Sequence, residues 1–520
     1  MAGRPSKDIL RYKDEIIELF LQGSTNRNIV SYLSDNYNVE IGHRTLERRL
    51  AEWGVRKNHQ NIDTPQLRAR ISVLFFQCCL GDKDILYVLQ REGYSINARG
   101  LSRIRKSMGL LRRVSPFDQE ESQRLLLETV QKELDKGFIE GFGRGNLYSY
   151  FRSKVMHIVS RDRLFAAIKT LDPDGVTRRL RDLQRHRGEY IIPGPNYLWS
   201  IDGYCKFNFW GFEMYASIDA YSRYITWIYV GITSRTAVSV LRQYLDTIES
   251  EKVFPQILRS DRGTETPLVA AAHYRFRQCH QPEVDFAECY RFGTSTANQR
   301  IEAWWGQLTH SMLFRWRDYF LRLSDDNLYH PDSLVDRITL LAIYMPILRE
   351  EVHAFVRLWN VHKIRRQPNR PNCVVGQPLM LYHWPKDDVQ NHGLAPDREL
   401  LRELQRDVGD WDIDEYLPTQ TKNWCRGQLL GLGCPSGRVN MDQFFPDGSR
   451  AHCEMYLQLR EIVREHIISG EEPVLEESMR PTGAWNWQSL AQDTSLVEEI
   501  VIHMEGRDEL ATIEDLTMIQ

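Results

Sequence analysis

Long apolar runs are missing from this sequence. No stretch of about 18 apolar residues occurs in its 520, so nothing in it reads as a transmembrane helix. The opening MAGRPSKDILRYKDE lacks the apolar centre of a secretory signal. Cysteine is sparse and scattered: nine are present, an odd number with no CxxC pair. That points to a reducing compartment rather than a disulfide framework. Cys279-His280 and Cys289 have no second close-spaced pair of ligands beside them, which a zinc site needs. No Ser-His or Cys-His arrangement reads as a covalent nucleophile.

What is present is a charge gradient. Residues 1–190 hold 34 Lys and Arg against 24 Asp and Glu. Residues 191–385 hold 21 against 19, and residues 386–520 hold 12 against 27. A basic front end suits a phosphate-bearing partner, and an acidic end does not.

Within the basic front, Ile16, Ile17, Leu19, Phe20, Ile29, Val30 and Leu33 keep helical spacing, broken at QGSTNRN. Ser24 and Thr25 are natural N-caps for the second helix. A third helix, RTLERRLAEWGVRK, places Arg44, Arg48 and Arg49 beside the core candidates Leu46, Leu50 and Trp53. Residues 1–60 thus have a helix-turn-helix layout, whose last helix enters a DNA major groove. The pattern recurs over 61–116. Phe20, Ile29 and Leu33 match Phe76, Ile85 and Leu89 at an offset of 56; Ile41, Arg44, Leu46, Arg48 and Gly54 match Ile96, Arg99, Leu101, Arg103 and Gly109 at 55. The second basic helix carries Arg99, Arg103, Arg105 and Lys106, and two copies suit a bipartite DNA site. Residues 117–190 read as a helical linker whose basic run Arg178 to Arg187 either touches DNA or is a solvated face. Pro193-Gly194-Pro195 marks a boundary.

From Tyr197 the pattern turns strand-like. YLWSIDGYCKF alternates, GFEMYASIDAYSRYITWIYVG reads as strand, turn and strand, and helices and strands then alternate. Residues 191–385 are therefore expected to form a mixed sheet flanked by helices. Three carboxylates stand out: Asp202 inside an apolar-flanked strand, Asp261 at a strand end, and Glu302 on a helix. Such a set can hold Mg²⁺, which takes oxygen ligands and shares its shell with substrate phosphate.

The order IDGY, IDAYSR, SDRGTE, NQRIE resembles the integrase core of retroviruses, retrotransposons and related cut-and-paste elements, over roughly residues 190–385. The resemblance implies an RNase H-like fold and a DDE-type polynucleotidyl transferase. Matched by motif, the metal carboxylates are Asp202, Asp261 and Glu302, with Mg²⁺ as cofactor and Mn²⁺ as a substitute. DNA, both element ends and target, is the implied partner, in a homo-oligomer without membrane attachment and in the nucleus of a eukaryotic host. The expected reaction processes DNA ends and joins them by transesterification. The alternatives are a host-retained DNA-binding protein without catalysis and a nuclease of the same fold.

Asp261 and Glu302 lie 41 residues apart, wider than the interval common in the retroviral branch. Glu283, Asp285 and Glu288 are nearer rivals, but in a loop-like run without rigid support. Asn298 and Gln299 share the helix of Glu302, where their amides can bind DNA or orient the carboxylate. Glu265 is expected to orient a water near the metals, and Asp219 and Arg223 to hold the hairpin. Gly293, Thr294 and Ser295 resemble the loop before the catalytic helix, and Trp304 and Trp305 are expected to pack that helix onto the core. Two family features are missing: an N-terminal His-His-Cys-Cys zinc module and a basic C-terminal barrel. The acidic residues 386–520 receive no chemistry.

Overall fold

The computed structural model describes residues 9–21, 24–55, 63–111, 119–139, 141–155, 159–173, 192–293, 298–366, 374–409, 412–439 and 451–478, with 496, 500–502 and 504. The basic run Arg178 to Arg187, Thr294 and Ser295, and most of the final stretch lie outside the described residues. The chain divides into two compact units, 1–75 with 80–111, and 76–79 with 112–520.

The first unit is helical. Its leading part contains α1 (Lys13–Leu21), α2 (Asn26–Tyr37) and α3 (His43–Glu52). The Thr25 hydroxyl accepts from the Asn28 amide at 3.2 Å, capping α2. Ile16, Phe20, Ile29, Leu33, Leu46 and Leu50 close a small core. The second part repeats this with α4 (Pro65–Ser72), α5 (Asp82–Arg91) and α6 (Ala98–Ser107). Here a π-helical turn, Val73–Gln77, extends α4, so Phe75 is the buried aromatic and Phe76 is only half-buried.

In the second unit, α7 (Gln119–Asp135), α8 (Arg144–Ser153) and α9 (Arg161–Leu171) precede the sheet. Three antiparallel strands follow: β1 (Leu198–Tyr204), β2 (Glu213–Asp219) and β3 (Ile225–Gly231). Next come α10 (Ala237–Glu251), β4 (Ile257–Ser260), α11 (Pro267–His280), β5 (Tyr290–Phe292) and α12 (Gln299–Leu308). The sheet order is β3-β2-β1-β4-β5, with β1, β4 and β5 parallel. A π-helical turn, Thr309–Leu313, leads into α13 (Phe314–Asp325), and α14 (Leu334–Val361) runs behind the sheet.

Strand alternation divides the core in two. Trp199 and Ile201 of β1 face one way, against α10 and α11. Tyr204, Met214 and Ala216 face the other, against α12, α13 and α14. A mixed five-stranded sheet with helices on both faces is an RNase H-like core. The hairpin turn is held by Asp219, fully buried, which accepts from the Asn196 amide at 2.8 Å, the Ser222 amide at 2.7 Å and the Ser222 hydroxyl at 2.5 Å.

The segments on either side of this core join it. Leu126, Val130, Phe142, Phe151 and Ile168 of the expected linker are buried in the same cluster as α14. Within the acidic region, α15 (Arg398–Val408) packs Leu400, Leu401 and Leu404 with the α10 side. Its α16 (Thr419–Gly431) and α17 (Ala451–Ser469) pack with α14, and Arg460 pairs with buried Asp336 at 2.6 and 3.1 Å. No helix among the described residues is long and apolar enough to cross a membrane.

Candidate active site

Asp202 lies on the α12 side of β1 and is 8% exposed. Neighbouring β4 runs parallel to it, with Ser200 opposite Arg259. Carrying that register two residues on sets Asp261 beside Asp202, at the carboxyl ends of adjacent strands, where open α/β sheets bind ligands. Gly263 donates its amide to Asp261 Oδ1 at 3.3 Å, holding the carboxylate in a turn.

Helix α12 is fastened to β1 at two points. Asn298 Nδ2 donates to the Ile201 carbonyl at 2.9 Å, and Trp305 Nε1 donates to Asp202 Oδ2 at 3.0 Å. Positions 298, 302 and 305 share one helical face. The face bearing Glu302 is therefore turned toward the strand bearing Asp202, while the Glu302 side chain itself is exposed.

The electrostatics agree with this geometry. Burial, then repulsion from Glu302 and Asp261, pushes the Asp202 carboxyl up to about 8, against relief from Gly203 and Trp305. Burial also raises Asp261. Among the described residues no three His, Cys, Asp or Glu side chains yet stand close enough together to hold a metal ion. All three groups offer hard oxygen donors, and a buried carboxylate opposed by two others is one that a divalent cation would relieve.

The integrase core domain model matches residues 189–384, and the Clr5 domain model matches residues 5–57. Residues 189–384 match an integrase core. No curated protein matches the chain.

Within this integrase-type core the remaining candidates find different places. Asn298 is 1% exposed and spends its amide on β1, so it braces α12 against that strand. Gln299 is exposed at the start of α12. Glu265 folds its carboxylate over Gly263, where an added Cβ would come within 2.3 Å of it. Burial raises its pKa, Asp261 adds to that, and Arg235 opposes it. The rivals Glu283, Asp285 and Glu288 are exposed. Trp305, expected to pack the helix onto the core or else to stack on DNA, also holds Asp202; its place three residues after Glu302 is the available signal.

In the first unit, Arg44 and Arg48 are exposed on α3, and Arg49 is half-buried. Glu52 pairs with Arg48 at 3.7 Å and Arg49 at 2.8 Å. Arg99, Arg103 and Lys106 are exposed on α6. Arg105, expected with them on the DNA-facing surface, is instead 6% exposed. Its position falls on the apolar face with Leu101 and Ile104, and its charge is answered by Asp82 at 3.3 Å.

Proposed function

We propose that this chain is a Mg²⁺-dependent integrase or transposase that cleaves DNA ends and joins them to target DNA. Asp202, Asp261 and Glu302 would hold the metal, and Mn²⁺ would substitute. The observation that carries the reading is the placement of Asp202 and Asp261 side by side on parallel strands, with the Glu302 face of α12 bonded to the same strand.

Bound there, divalent metal supplies positive charge to a phosphodiester whose own charge repels nucleophiles. The protein's part is position. Trp305 and burial fix Asp202, the Gly263 amide fixes Asp261, and the paired bonds of Asn298 and Trp305 fix the helix axis under Glu302. In joining, a DNA 3′-hydroxyl oxygen forms a bond to phosphorus as the bridging oxygen of the target strand leaves. One phosphodiester replaces another, so no protein nucleophile or external energy source is required. The N-terminal helices would bind DNA through Arg44, Arg48, Arg49, Arg99, Arg103 and Lys106. Joining paired ends suits a homo-oligomer, and a DNA substrate suits the nucleus of a eukaryotic host.

The purified chain, incubated with a duplex 5′-labelled on the strand to be joined, supercoiled plasmid and Mg²⁺ or Mn²⁺, tests this. Covalent transfer of label to plasmid is expected. Nicking without transfer would make it a nuclease of the same fold, and a mobility shift without cleavage a DNA-binding protein.

A further inference from the structure

The two halves of the first unit are copies, and they are not equal in charge. The helix ends correspond in detail. Gly54 and Gly109 both take positive φ, 71° and 72°. Just after them, the Val55 amide bonds the Leu50 carbonyl at 2.8 Å, and the Leu110 amide bonds the Arg105 carbonyl at 3.0 Å. That correspondence sets Arg105 at the buried position of Leu50, which is why it turns inward. It also sets Arg99, Arg103 and Lys106 at the positions of Arg44, Arg48 and Ala51.

On α3 three arginines stand against Glu47 and Glu52, and Glu52 pairs with two of them. On α6 the equivalents of those glutamates are Ser102 and Ser107, and no acid remains on the helix. Arg99, Arg103 and Lys106 fall at i, i+4 and i+7, all exposed, on one outward face. Asp63 feels Arg103, but its carboxylate is already taken by Arg68 at 2.7 and 2.8 Å.

We propose that residues 63–111 are a second DNA-binding module, and the one that makes the larger share of the phosphate contacts. The inference rests on the DNA-binding reading above and adds the ranking of the two copies. A cationic face on a helix that carries no acid of its own, on a helix-turn-helix scaffold, fits a duplex, whose phosphates flank a groove of helix width. The copy at 9–55 keeps its acids and contributes less charge.

The test is a KCl titration of full-chain binding to a fluorescein-labelled mixed-sequence DNA duplex. Each lost phosphate contact lowers the log–log salt slope by about 0.9. The Arg99→Ser/Arg103→Ser/Lys106→Ser variant should lose about 3 units of slope, and Arg44→Ser/Arg48→Ser about 1 to 2. Arg105→Leu should fold and keep the wild-type slope, because Leu50 already fills that position. The ranking is overturned if the triple variant, with unchanged helical content by circular dichroism, keeps its slope or loses less than the double. It is equally overturned if single-stranded RNA outcompetes the duplex. Repeating the titration on the Asp202→Asn chain separates the outcomes: unchanged binding there leaves this proposal standing whatever becomes of the metal site.

Discussion

The indole of Trp305 donates to Asp202 at 3.0 Å, and both side chains are buried. A single hydrogen bond thus ties the carboxylate on β1 to the helix that bears Glu302. Trp305→Phe should keep the packing and lose the bond. The expected stability cost is about 1 kcal/mol, while metal affinity or strand joining falls about 10- to 100-fold. Equal, small losses in both would reduce Trp305 to a packing residue.

Asp202 is raised to about 8, so above its ordinary carboxylate value the folded chain must hold a proton that the unfolded chain releases, or else carry a buried charge, and either costs the fold stability. For a raised carboxyl, stability is greatest below the unfolded pKa and is lost as pH rises through the folded value. Asp202→Asn removes the charge and retains an acceptor for Trp305. Without divalent metal its melting temperature should rise at pH 8, by roughly 1 °C per kcal/mol recovered, while joining assayed with metal is abolished. A variant that melts lower than wild type would contradict the repulsion described for this site.

Gly141 sits between α7 and α8, and a Cβ there would stand 2.4 Å from the His310 carbonyl and 2.5 Å from that of Ser311. Backbone cannot yield as a side-chain tip can. Gly141→Ala should therefore destabilise the chain by about 1–3 kcal/mol or more and disturb the turn that follows α12. Denaturant melts read the first effect and joining assays the second. A neutral substitution would mean that the helices before the sheet are not part of its core.

His273 is fully buried and its ring bonds the Tyr244 hydroxyl at 2.8 Å. Burial, with Arg277 nearby, lowers it to about 3. A lowered histidine contributes stability above its unfolded pKa, near 6.5, which is lost as pH falls toward the folded value. Wild type should lose up to about 1.4 kcal/mol per pH unit from this group below pH 6.5, and His273→Phe should lose that slope. Denaturant midpoints from pH 7 to 4 decide it: parallel curves for the two proteins would reject the assignment.

Much of this core was legible because its chemistry is local. IDGY and SDRGTE place carboxylates within or directly after strands whose alternation shows in the sequence, and Asp219 reads as a turn residue because two of its hydrogen bonds are to nearby Ser222. What was not legible depends on contacts far along the chain. The segment before Pro193 read as a linker because its basic run masked an apolar face that only α14 completes. The acidic region offered no motif, yet Arg460 reaches 124 residues back to Asp336. Arg105 looked like part of the DNA surface because charge suggested it, although its register matches that of Leu50. Asn298 was placed on the right helix face, but its amide serves the Ile201 carbonyl, a partner that only the folded sheet provides.

Mn²⁺ binding read by electron paramagnetic resonance decides whether Asp202, Asp261 and Glu302 hold divalent metal. Asp202→Asn, Asp261→Asn and Glu302→Gln should each weaken binding at least about 10-fold, while Glu283→Gln, Asp285→Asn and Glu288→Gln bind as wild type does. Wild-type affinity in Glu302→Gln, with loss in any of those three rivals, would contradict the account.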